Sequence, residues 1–94
     1  MEYAIENEYL IVTVTTWGAQ VKSVVRKFDD VEHMWQADKS VWGYHAPILF
    51  PHTGKVVDDL IETKGEVYQA KQHGFARLME HTLVRQTEDT IVME

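Results

Sequence analysis

Between Trp42 and Gly54 the chain reads WGYHAPILFPHTG, and no other stretch limits the possible folds so strongly. Pro47 and Pro51 each remove a backbone donor and fix φ, which argues against a continuous helix here. Between them, Ile48, Leu49 and Phe50 form an apolar run that is expected to be buried. Trp42, Tyr44, His45 and His52 flank the run with side chains that are part apolar and part hydrogen-bonding. The stretch reads either as a rigid buried crossover or as the wall of a pocket for a flat or hydroxylated small molecule.

The residues on both sides of it follow the two-residue period of β-strands. Tyr3–Ile5 and the β-branched run Tyr9–Thr15 flank the polar turn Glu6-Asn7-Glu8, which reads as a hairpin. Gly18 lets the chain bend before a third strand, in which Ala19 and Val21 alternate with Gln20 and Lys22. Asp29-Asp30 makes a turn, and Val31–Gln36 reads as a fourth strand. Asp38 or Ser40 can cap a single helical turn ahead of Trp42. Further on, Leu60–Thr63 and Glu66–Gln69 flank Lys64-Gly65 as a second hairpin, with a helix over 56–64 as the competing reading. The last two β-rich runs, Glu80–Gln86 and Thr90–Met93, surround the acidic turn Glu88-Asp89. Trp17, Met34 and Trp35 are expected in the core, and Arg77 as a structural pairing residue.

Length and charge exclude several functions. The chain has 94 residues, room for one small domain, and its 45% hydrophobic and 26% charged content is that of a globular protein. Fifteen acidic residues against nine basic ones give a net charge of -6 with no basic run, so neither nucleic acid nor membrane is expected as a partner. The start, MEYAIENEY, lacks a signal-peptide pattern, from which a cytoplasmic location is expected. Without cysteine there is no disulfide, thiolate zinc site or thiol nucleophile. The five histidines (His33, His45, His52, His73 and His81) form no His-x-x-x-His pair, so neither a metal nor another cofactor is expected.

Three segments resemble the aldose 1-epimerase (mutarotase) family. Trp17–Ser23, WGAQVKS, is similar to its early GAxxxS strand. Met34–Asp38, MWQAD, followed by Trp42–Pro51, WGYHAPILFP, resembles the LWQxD…WxRHAPxLFP signature of the family's divergent bacterial branch. Gln72–Arg77, QHGFAR, matches that branch's motif at the right separation. The resemblance covers nearly the whole chain and implies an all-β fold, the N-terminal portion of a galactose mutarotase-like antiparallel β-sandwich. Residues 1–94 are thus expected to form one partial domain, about the first third of that fold.

The family interconverts the anomers of aldoses. By resemblance, His73 holds a hexose near its ring oxygen, and Trp42, Tyr44, His45 and Lys55 belong to the substrate wall. Two positions depart from the family: Lys55 and Tyr44 each stand where it has Arg. Lys keeps the charge without the planar fork that holds two oxygens at once. The family's second histidine (the general acid) and its C-terminal glutamate (the base) have no counterpart in these 94 residues, and anomer exchange needs a proton moved at two oxygens. The expectation is therefore a chain that retains part of a sugar site, at most weak hexose binding, and no turnover of its own. A non-enzymatic sugar-binding or interaction module, and an enzyme completed by a second chain, stay open beside it. A single antiparallel layer leaves an apolar face and a strand edge open, which implies a homo-oligomer formed by sheet packing or by pairing of Thr90–Met93.

Overall fold

Asn7 sets the first hairpin. Its side-chain oxygen accepts the backbone N–H groups of Tyr9 and Leu10, both at 2.8 Å, and so closes the turn between β1 (Glu2–Glu6) and β2 (Leu10–Thr15). The structure, a computed structural model, describes residues 1–94. Glu2 lies opposite Thr15 and Glu6 opposite Ile11, so the β-branched run of β2 is paired along its length. β3 (Gln20–Arg26) pairs with the other edge of β2, with a register shift between Thr13 and Val14. The bend into β3 needs glycine: Gly18 has φ +71°, and a Cβ there would lie 2.7 Å from the Arg77 carbonyl oxygen.

The fourth strand is shorter than expected. β4 spans only Val31–Glu32 and does not run on to Gln36. The Glu32 carboxylate is the reason, since it accepts the N–H groups of Val24, His33 and Met34 at 2.9, 3.0 and 3.3 Å. The His33 N–H also reaches the Val24 carbonyl of β3 at 2.9 Å, so pairing stops there and the Met34 donor turns back to the carboxylate. After it, Asp38 closes one turn: its carbonyl accepts from Val41 and Trp42, and its carboxylate from Ser40.

β5 (Leu60–Thr63) and β6 (Glu66–Gln69) form the second hairpin around Lys64 and Gly65, both in the left-handed region at φ +49° and +79°. The competing helix is reduced to one 3-10 turn at Val57–Asp59. β7 (Leu83–Gln86) and β8 (Ile91–Met93) make the third hairpin, starting three residues later than expected at Glu80. It joins the first sheet at an edge, through Glu6 N–H to the Glu88 carbonyl and the Gln86 amide to the Ala4 carbonyl, both 2.8 Å. The fold is all-β, with sheet orders β1-β2-β3-β4, β5-β6 and β7-β8, antiparallel throughout. No helix is long and apolar enough to cross a membrane.

Burial departs from the expectation. The molecule measures 53 × 33 × 18 Å, and its buried apolar residues are Val14, Ala70 and Ala76. Ile48, Leu49 and Phe50 are all exposed, Phe50 at 57%. Trp17 and Trp35 are exposed as well, at 49% and 44%, and Met34 is half-buried. Large side chains are sealed where two layers face one another, and here the first and third sheets meet edge to edge.

Candidate functional site

Two segments far apart in sequence are clipped together at Phe50. Its carbonyl oxygen accepts the N–H of Phe75 at 2.9 Å and that of Ala76 at 3.3 Å, and Phe50 and Gly74 form a parallel bridge. The two rings meet edge to face, 6.1 Å between centroids. Gly74 makes the approach possible. It has φ +74°, and a Cβ there would lie 2.0 Å from the Phe50 oxygen, well inside any contact distance. The glycine of the His-Gly-Phe triplet is thus required by the backbone that crosses it.

The same clip fixes His73, itself at φ +65°. Its backbone N–H donates to the Gly54 carbonyl at 2.9 Å, and the Gly54 N–H donates back to His73 Nδ1 at 2.9 Å. Because Nδ1 accepts, the neutral ring carries its proton on Nε2, beside the Gln72 side-chain amide. One ring edge is locked by backbone, and the other is a directed hydrogen-bond donor.

From His73 a line of contacts runs to the aromatic wall. Arg77 donates to the Gln72 carbonyl at 3.2 Å and lies over the Tyr44 ring, 5.0 Å from its centroid. Tyr44 packs at a tilt on Trp42, 5.8 Å away. So Trp42 and Tyr44 are stacked together, and Arg77 links Tyr44 to the Gln72 carbonyl, one residue before His73. Arg77 has no carboxylate partner among its contacts; it stacks on the Tyr44 ring. His45 and Lys55 turn elsewhere. His45 Nδ1–H donates to the Trp35 carbonyl at 2.8 Å, and its backbone N–H to Gln20. Lys55 follows Gly54 directly, but its ammonium is exposed and pairs with Asp59 at 3.8 Å.

Gln20 was not singled out by sequence. Alternation put it on the polar face of β3, yet it is only 7% exposed, and its side-chain oxygen accepts the N–H groups of both His45 and Ala46. It positions the start of the Pro-bounded segment. The largest cleft, about 660 Å³, adjoins the clip through Pro51, His52, Gly74 and Phe75 but is lined by none of Trp42, Tyr44, His45, Lys55 and His73. No group of three or more His, Asp or Glu side chains is placed to hold a metal ion.

The sequence model of the aldose 1-epimerase family matches residues 1–94, the whole chain. The chain belongs to the aldose 1-epimerase family. A galactose mutarotase related enzyme from Lactobacillus acidophilus has the same fold, with a TM-score of 0.95 and 40% identity over 99% of this chain and 31% of that one. A galactose mutarotase-like protein from Lactobacillus casei ATCC 334 matches with a TM-score of 0.88 and 35% identity, over 94% of this chain and 30% of that one. The plasmid and chromosomal forms of Protein LacX from Lactococcus lactis subsp. lactis are each 35% identical over 96 residues, which is 97% of this chain and 32% of LacX. The chain thus has the strand arrangement of the mutarotase-like β-sandwich and spans about a third of the length of these relatives.

Proposed function

We propose that this aldose 1-epimerase family chain is a sugar-wall module: it binds an aldose weakly through His73 and its aromatic neighbours and does not interconvert anomers by itself. The observation that carries this is the reciprocal pairing of His73 with Gly54. It leaves an Nε2–H donor suited to a sugar oxygen, and Tyr44 and Trp42, linked through Arg77 to the neighbouring Gln72 carbonyl, offer faces that suit the C–H face of a pyranose. Lys55 and His45 complete the wall in this reading, Lys55 by swinging from its exposed pairing with Asp59.

Turnover needs one group to take a proton from an oxygen and another to deliver one. The partner of His73 Nδ1 is the backbone N–H of Gly54, and a backbone amide does not transfer protons. The reading requires no cofactor, and it is compatible with a cytoplasmic setting where free hexoses occur. Polarimetry of freshly dissolved α-glucose and α-galactose tests it, with decay at the buffer rate as the expected result. A rate clearly above the blank that disappears in His73→Ala would show that the chain is an enzyme in its own right.

A further inference from the structure

Of the five histidines, His73 is the one whose ring accepts a backbone donor. His45 Nδ1 and His81 Nε2 each face a backbone carbonyl, at 2.8 and 3.0 Å, and so carry a proton there whether the ring is neutral or charged. His73 Nδ1 instead faces the Gly54 N–H at 2.9 Å and holds that bond only while it is unprotonated. An imidazolium is a donor at both nitrogens. Adding a proton to His73 therefore sets two N–H groups against each other across a part-buried contact.

No carboxylate beside the ring offsets the added charge. On its own turn lie Lys71 and Arg77, and Arg77 donates to the Gln72 carbonyl and rests on the Tyr44 ring. On the opposing segment lie His52 and Lys55, whose ammonium pairs with Asp59 at 3.8 Å. No carboxylate oxygen is within ion-pair distance of either His73 ring nitrogen. Gly54 itself has φ +83° and nothing within 4 Å of where a Cβ would lie, so little packing holds it in place once the bond is gone.

We infer that the His73–Gly54 pair is a pH-sensitive latch, closed by a neutral imidazole and opened by its protonation, which frees the Gly54 N–H and loosens Thr53–Lys55. The bond needs an unprotonated Nδ1, so the latch is closed at high pH and opens as pH falls. The Phe50 clip, whose donors and acceptor are all backbone, stays shut. The latch stands on these two residues alone. That it also tunes sugar affinity, tightest with the latch closed, rests on the sugar-wall reading above.

A sugar-free heteronuclear NMR titration from about pH 8 to about pH 5 tests the latch. The Gly54 amide is expected to move upfield and its exchange protection to fall at least about tenfold, while the Phe75 and Ala76 amides keep theirs. In His73→Asn the side-chain oxygen takes the place of Nδ1 without titrating, at a left-handed φ that asparagine tolerates. The step should then vanish with the Gly54 amide still bonded. A wild-type Gly54 amide that does not respond would overturn the latch, and so would a step that survives in His73→Asn. Galactose titrated at both ends of the range separates the latch from the sugar reading. Weaker binding at the acid end supports the regulation, and equal binding beside an open latch overturns it. No binding at any pH removes the sugar reading, and the regulation with it, but leaves the latch.

Discussion

The sheet from Glu2 to Glu32 and the looped region from Trp42 to Leu78 are held together by different means. In the sheet, a ladder of backbone pairs runs the length of β1, β2 and β3, and each rung is one of many. In the looped region single atoms serve several groups. The Phe50 oxygen takes two N–H groups, the Gln20 side-chain oxygen takes two more, and Gly54 and His73 hold each other. The difference teaches where the chain is vulnerable: loss of one shared acceptor strands several backbone donors at once, whereas the ladder loses one rung.

The strongest way to break the contrast is at the clip. Gly74→Ala forces a Cβ onto the Phe50 oxygen at a left-handed position and should cost about 3 kcal/mol or more. Gly65 has nearly the same φ but nothing within 4 Å, so Gly65→Ala should cost only the intrinsic strain, about 1–2 kcal/mol. Urea unfolding of the two variants isolates the contact from the conformation. Equal losses would mean that the clip adds nothing.

Gln20→Ala comes next. It leaves the N–H groups of His45 and Ala46 without their acceptor, and the expected loss is about 2 kcal/mol. Faster hydrogen exchange at those two amides, with the β1–β2 amides unchanged, is the sharper readout. Uniform acceleration would show that the two regions are one cooperative unit.

The smallest expected effect lies at the sheet margin and depends on pH. The Ser23 hydroxyl, with help from the Val24, Met34 and His33 N–H groups, holds the Glu32 carboxyl below its ordinary 4.5, against the opposing effect of desolvation. A depressed carboxylate stabilises the fold fully above its unfolded value, and the contribution fades as pH falls through the lowered one. Acidification below about 4.5 should therefore loosen Val31–Met34 locally, seen in the His33 and Met34 amide shifts. Glu32→Gln should flatten that profile. An unchanged profile would remove Glu32 as its cause.

What was legible in the sequence follows the same division. The β-branched run of β2, the Asn7 turn and the Lys64-Gly65 hairpin depend on neighbours in sequence, and the structure has them where local chemistry puts them. Val31–Gln36 was overextended because strand propensity takes no account of a carboxylate folding back on its own backbone. Gln20 could not be found by alternation, since its partners lie twenty-five and twenty-six positions away. Ile48–Phe50 was expected inside because hydrophobicity alone does not say whether a facing layer exists. The His-Gly-Phe motif was recognisable by resemblance, but the contact that makes Gly74 obligatory shows only in three dimensions.

The central claim is that the clipped His73 presents a sugar-binding edge, and a heteronuclear NMR titration with galactose and glucose tests it most directly. The account predicts saturable shifts in the millimolar range, centred on Gly54, His73 and Tyr44 and lost in His73→Ala. Shifts that are absent, or that persist unchanged in His73→Ala, would contradict it.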